Sequence, residues 1–452
     1  MRIGLIAMSG IRACDQELLA LGLTLPGFVE RSKAIASLPS LGLLTLAGMT
    51  PKRHEVRYLE IADFAHAETL PADLDLVAIS SLSAQVKDAY CIAERYVALG
   101  VPVVMGGLHV TARPGEPGEH GASAIVGEGE AVWGEVLEDA ERGCLKPVYD
   151  ARGRDFDLAN APMPAFELLD IKRYNRITVQ TSRGCPWRCA FCASSILLTR
   201  KYKQKPVARV LAEIDHILTL WPQPFIEFAD DNSFVNRRYW HELLPELRKR
   251  NIKWFTETDL SVYQDEDLLE EMREAGCAEV LIGFESPVRD ALALVELNNN
   301  FKWKRFDEYK TAIRTIQRHG IRVNACFVIG LDGHTLSVVD ALMDFVRDTL
   351  PFDVQVTVPT PFPGTPFYEQ LRIEGRLIDP RGYERCTLFD VNFQPRGMTV
   401  EELRGAIRRL AVELYNEDFT NHRRSHFRAT WRTAQRGQRS MRASAEPAPQ
   451  AS

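Results

Sequence analysis

The chain is 452 residues long, 45% hydrophobic and 26% charged, with a net charge of −6 at pH 7. It has no run of about eighteen apolar residues, which excludes an ordinary membrane-spanning helix. Its nine cysteines, an odd number, argue against a disulfide framework.

The opening MRIGLIAMSGIRACDQ lacks the basic start and small-residue cleavage site of a secretory leader. The expected location is therefore the cytoplasm, where thiols stay reduced and clustered cysteines mean metal or catalysis. Over 1–145 the runs RIGLIAM, HEVRYLEI, LDLVAISS, PVVMGGLHV and ASAIVGEGE read as short buried strands. LPSLGLLTLAGM and VKDAYCIAERYVALG read as helices between them. The alternation implies a Rossmann-like parallel α/β domain with glycine-rich strand ends at Gly106, Gly107, Gly127 and Gly129. None belongs to a G-x-G-x-x-G turn opening a helix, so a dinucleotide site is not expected. Residues 146–172, proline-bearing and weakly periodic, read as a linker.

Cys185, Cys189 and Cys192 follow, spaced C-x3-C-x2-C at the end of the strand-like YNRITVQTSRGC. Structural zinc wants four ligands, commonly as two separated pairs, and would need a distant His here. Ferredoxin-type runs use other spacings and supply a full ligand set. Three thiolates from one loop instead suit three corners of a cubane iron–sulfur cluster, leaving one iron open. Zinc completed by a distant His, or three cysteines that merely sit close, are the bland alternatives. The remaining six cysteines are scattered and read as small hydrophobes.

From 173 to 370, strands and helices alternate through PFIEFADDNSF, IKWFTETDL, EVLIGFES, IRVNACFVIG and FDVQVTVPTPFPGTP. Six strands, all but the last followed by a helix, imply a parallel sheet with right-handed crossovers, either doubly wound or a partial barrel. Acidic residues at the strand ends, Asp230 with Asp231, Glu257 and Glu285, are candidate ligand contacts. Their plain alternatives are solvated loops or partners of nearby Lys and Arg.

The cysteine spacing with Phe191 before the last cysteine resembles the signature of the radical S-adenosylmethionine (radical SAM) enzymes. That resemblance implies a partial (β/α)6 barrel, a [4Fe–4S] cluster on Cys185, Cys189 and Cys192, and SAM on the open iron. It places Phe191, Asp230, Glu257, Glu285 and Gly330 (in VIGLDG) around SAM, and implies a reducing partner such as flavodoxin or ferredoxin. PSLGLLTLAG, VMGGLHVTARP and VGEGEAVWGEVL resemble the cobalamin-binding domain that precedes many radical SAM modules. Cobalamin is thus expected at Gly106, Gly107, Gly127 and Gly129. The D-x-H-x-x-G cobalt-ligating motif is absent, and neither His54, His66, His109 nor His120 is placed to replace it. The implied activity is methyl transfer to an unactivated centre of a small-molecule or natural-product substrate, with no catalytic residue assignable. Cyclisation or rearrangement without methyl transfer, and a non-catalytic cobalamin- or cluster-responsive regulator, stay open.

MTVEELRGAIRRLAVELYNEDF reads as a helix with Leu403, Ile407, Leu410 and Leu414 on one face, within a helical extension over 371–422. From Arg423 to Arg442 there are seven arginines and no acid. Residues 423–452 read as a basic, disordered tail with too few interleaved aromatics for a nucleic-acid site.

Overall fold

The computed structural model describes residues 1–10, 13–21, 38–62, 64, 70–198, 201–293 and 295–445, with side chains described to residue 436. His66 lies outside the described residues. Among those described, no helix is long and apolar enough to cross a membrane.

The first sheet joins β1 (Arg2–Met8), β2 (Glu55–Ile61), β3 (Leu76–Ser80), β4 (Val103–Gly106), β5 (Ser123–Val126) and β6 (Val148–Asp150). The order is β2-β1-β3-β4-β5-β6 and every pairing is parallel. Helices cover both faces, so the inner strands β1, β3, β4 and β5 are almost continuously apolar, as parallel strands buried on two sides must be, whereas the edge strands β2 and β6 carry charged residues. Ile6, Ile79 and Met105 enter one core with Ile92 and Tyr96 of the helix Val86–Ala98. Ile3, Leu5 and Leu76 enter the opposite core with Trp133 and with Leu43 of the helix Leu41–Met49. Each such aliphatic side chain contributes about 1.5–3 kcal/mol by leaving water.

β6 corrects the expected linker at 146–172: its Val148, Tyr149 and Asp150 pair with Ala124, Ile125 and Val126. A strand of three residues is too short for a periodicity to register.

In the second sheet, β7 (Ile177–Val179) leads into a small antiparallel pair, β8 (Ser182–Arg183) and β9 (Lys203–Gln204). β10 (Phe225–Phe228), β11 (Lys253–Thr258), β12 (Cys277–Glu285), β13 (Arg322–Val328) and β14 (Asp353–Thr357) then follow. The spatial order β14-β13-β12-β11-β10-β7 is sequential and all parallel. The order never reverses, as it would at the switch point of a doubly wound sheet, and β7 and β14 remain unpaired with each other, so the sheet is an open six-stranded partial barrel. The intervening helices include Val207–Leu220, Arg237–Arg250, Glu266–Glu274, Tyr309–Arg318 and Val338–Thr349.

The helix Val400–Tyr415 starts on a capping box of Thr399 with Glu402 and buries Leu403, Ile407, Leu410 and Leu414. A second helix, Glu417–Ala445, corrects the expected disordered tail over 423–445, while 446–452 lie outside the described residues. Arg423 is 1% exposed and donates to the Leu414 carbonyl at 2.7 Å. Phe427 sits edge-on to Phe352, and Trp431 lies under Arg273 with the guanidinium 4.5 Å from its ring centroid. A Cβ at Gly320 would stand 2.8 Å from the Trp431 ring, so that glycine makes room for it. The i, i+4 aromatics that look sparse in an arginine run are the anchors of this helix.

Candidate functional site

Two neighbouring cavities lie at the C-terminal ends of the two sheets, where parallel folds gather their loops. The lower, of about 560 Å³, runs into the partial barrel. Cys185, Cys189, Cys192, Phe191, Glu257 and Glu285 all line it. The upper, of about 330 Å³, is lined by Gly106, Gly107, Gly127 and Gly129, with Ser80 and helix residues Gly42, Leu43 and Leu46. Ser194 and Asp231 belong to both walls.

The cysteine loop is held by its surroundings before any metal arrives. Ala190 N–H donates to the Val295 carbonyl at 2.9 Å, and Leu297 N–H to the Arg188 carbonyl at 2.8 Å. Glu296, 2% exposed, accepts the backbone N–H groups of Arg188, Asn298 and Asn299. Trp187 stacks on Phe301 at 4.0 Å and donates its indole N–H to Asp259 at 2.8 Å. Burial pushes the Cys185 thiol up to about 11 and the Cys189 thiol up to about 12. Among the described residues no three or more His, Cys, Asp or Glu converge as a single metal ion would require. A cubane asks for something different, three thiolates spread over three corners, and the donor set of one cavity wall suits that demand.

Phe191 also packs against a small apolar cluster of Ala291, Val295, Val328 and Leu331. Glu285, in the left-handed region at φ 64°, forms an ion pair with Lys302. A Cβ at Gly283 would collide with that pair, which lies across the strand there. Burial pulls the Lys302 ammonium down, but the Glu285 and Cys189 charges outweigh it and hold it well above its ordinary value. Glu257 has no side-chain hydrogen bond or ion pair among the described residues, and solvent space inside the lumen reaches it. Its depth in the barrel, with Glu227, Asp231 and Asp230 nearby, raises its carboxyl to about 8.

Two expected contacts turn out to be structural. Asp230 does not line either cavity. It is 3% exposed and accepts from Thr181 N–H at 2.8 Å, Ser182 N–H at 2.9 Å, Ser233 Oγ at 3.0 Å and the Thr181 hydroxyl. Its neighbour Asp231 takes the cavity position, accepting from Gly184 N–H at 2.8 Å and from the Ser194 hydroxyl. Gly330, at φ 97°, faces the C-terminal extension: a Cβ there would meet Leu403 at 2.7 Å and Phe393 at 3.5 Å. His109 lies in the short helix Leu108–Ala112, buried between Ser83 and Glu116, rather than ending a strand. Among the described residues no histidine lines the upper cavity.

Sequence reasoning missed the groups that join the cavities. Arg183 donates to Glu128 at 2.7 Å and to Glu130 at 2.8 Å. Lys203 reaches Glu128 at 2.6 Å and Asp155 at 2.8 Å. The only trace of this in the sequence is an acidic GEGE beside a glycine-rich strand end.

Residues 179–346 match the radical SAM superfamily model. Bacteriochlorophyllide d C-12(1)-methyltransferase of Chlorobaculum tepidum is 29% identical over 385 residues, 83% of this chain and 82% of that protein. Hopanoid C-2 methylase of Rhodopseudomonas palustris is 28% identical over 352 residues, 76% of this chain and 66% of that protein. A solved radical SAM methyltransferase from Kitasatospora setae, TsrM with cobalamin and a [4Fe–4S] cluster bound, shares the fold. The TM-score is 0.67 at 16% identity, covering 96% of this chain and 99% of that one.

Proposed function

We propose that this chain, a member of the radical SAM superfamily, is a cobalamin-dependent methyltransferase acting on a small-molecule substrate. The observation that carries the reading is the shared wall: a cavity with three thiols and a cavity of glycine-rich strand ends meet at Ser194 and Asp231. When bound, the cluster supplies the electron that splits SAM into methionine and a 5′-deoxyadenosyl radical, and cobalamin carries the methyl group.

In this reading Cys185, Cys189 and Cys192, on one wall of the lower cavity, would hold the cluster, and the rest of that cavity would take SAM. Phe191 offers its ring to the adenine, a contact of about 0.5–1.5 kcal/mol beyond area burial. The Glu285–Lys302 pair presents a fixed dipole beside Cys189 rather than a free carboxylate. Glu257, protonated up to about pH 8, can both donate to and accept from a hydroxyl in the lumen. Gly106, Gly107, Gly127 and Gly129 let backbone approach the cobalamin closely. A one-electron donor such as flavodoxin or ferredoxin is the reducing partner, and the cytoplasm the compartment that keeps the thiols available.

Anaerobic reconstitution with iron, sulfide and hydroxocobalamin, followed by SAM and reductant, tests the reading. Release of 5′-deoxyadenosine together with S-adenosylhomocysteine is the expected result. Deoxyadenosine alone would move the assignment to cyclisation or rearrangement, and neither product would overturn it in favour of a regulator.

A further inference from the structure

Arg183, Gly184 and Cys185 are consecutive, and each is tied to a different part of the site. The Cys185 thiol opens into the lower cavity. Gly184 N–H is fixed on Asp231, in the wall common to both cavities. The Arg183 guanidinium crosses to the first sheet and grips Glu128 and Glu130, on either side of Gly129. Gln180 braces the same guanidinium at 3.0 Å. The side chains of Arg183, Glu128 and Glu130 are 15%, 6% and 8% exposed, so these charges are little screened by water. Lys203, from β9 opposite Arg183, adds a second grip on Glu128. The far side of the glycine loop is pinned by Gly127 N–H on the Thr111 hydroxyl at 2.9 Å.

A planar guanidinium held by two carboxylates and an amide has little freedom to rotate, unlike an ammonium on a flexible stem. We infer that Arg183 is a positioning residue: it locks the Gly127–Glu130 loop of the upper cavity to the cysteine loop, so that the two cofactor sites keep one separation and orientation. The inference rests on the cobalamin reading of the upper cavity, but the clamp itself is a property of the protein alone.

The test uses the full chain with Arg183→Gln and Arg183→Lys, iron content serving as the folding control. In the cofactor-free protein, backbone hydrogen exchange over residues 126–132 should rise at least tenfold in Arg183→Gln, with β13 unchanged. After reconstitution with iron, sulfide and hydroxocobalamin and then reduction, the wild type should show magnetic interaction between the reduced cluster and cob(II)alamin. Arg183→Gln should bind hydroxocobalamin at least tenfold more weakly, with that interaction reduced and heterogeneous, and Arg183→Lys should restore it in part. Unchanged exchange in Arg183→Gln overturns the clamp whatever the upper cavity holds. Wild-type protein that takes up no hydroxocobalamin overturns the cobalamin reading, while raised exchange in the variant still supports the clamp. Unchanged affinity and unchanged spin interaction in a variant with raised exchange overturn the positioning role.

Discussion

In β1, Leu5 and Ile6 are neighbours that bury themselves in two different apolar cores, one on each face of the first sheet. In β10, Ile226 enters a core while its neighbour Glu227 turns into the barrel lumen and pairs with Arg176. Both sheets are six-stranded and parallel, yet one is dry on both faces and the other on only one. A sheet dry on both faces has room for a ligand only beyond its strand ends, so its site gathers the glycines Gly106, Gly107, Gly127 and Gly129 with side chains of the surrounding loops, Glu128, Glu130 and Arg183 among them. A curled sheet can take its ligand inside, and so carries carboxylates and amides such as Glu227, Glu257, Asn324 and Gln355 on the strands themselves.

If that division is real, damage to one site should spare the other. The largest effect is expected from Cys185→Ala, Cys189→Ala or Cys192→Ala. Iron after reconstitution should fall from about four per chain to under about one, and hydroxocobalamin uptake should persist. Wild-type iron content in the triple variant would remove the cluster assignment.

Gly107→Val should do the reverse. At φ 106° and ψ −177° the position is open almost only to glycine, and a Cβ would stand 3.0 Å from the Ser81 carbonyl oxygen. The strain is about 1–3 kcal/mol, borne by the loop that faces the upper cavity. Cobalamin retention should drop while iron content holds, and loss of both would break the comparison.

Trp431→Ala removes the anchor of the final helix beneath the second sheet and should cost about 3 kcal/mol, the low end for a Trp truncation because the ring is half-buried. Thermal unfolding should begin several degrees earlier, with cobalamin affinity unchanged. Equal weakening of both sheets would mean that they unfold as one unit.

At neutral pH the smallest effect of all belongs to His334, because its contribution appears only in acid. Burial lowers it from 6.5 to about 4, and its Nδ1 accepts from Gly330 N–H and Leu331 N–H, so Nε2 carries the proton to Ser286. Between those two values the unfolded chain binds a proton that the folded chain refuses. Stability should therefore fall with falling pH, by up to about 1.4 kcal/mol per pH unit. Denaturant titrations of His334→Gln should show a shallower slope over that window, and an identical slope would exclude His334 as its source.

Several features could be read without coordinates because their signals are local. The C-x3-C-x2-C spacing lies in one loop, the Leu403-Ile407-Leu410-Leu414 face lies in one helix, and each strand or helix of the alternation shows its own short period. Asp230 and Asp231 mark where local reading stops. Successive side chains point in opposite directions as a strand ends, so one aspartate enters the cavity and the other its wall. Composition cannot tell the two apart.

The sequence by itself determined the α/β class, the alternation of strands with helices and the identity of the three clustered thiols, because periodicity and spacing act over a few residues. Only the tertiary structure decided the partners. Glu285 meets Lys302 seventeen residues on, Arg183 meets Glu128 across fifty-five, and Gly330 meets Leu403 of the C-terminal extension. Trp431 likewise finds its place only under Arg273 and beside Gly320. In each case the energy comes from desolvating or packing two groups that chain separation leaves unrelated, and it appears only once the sheets and helices have brought them together.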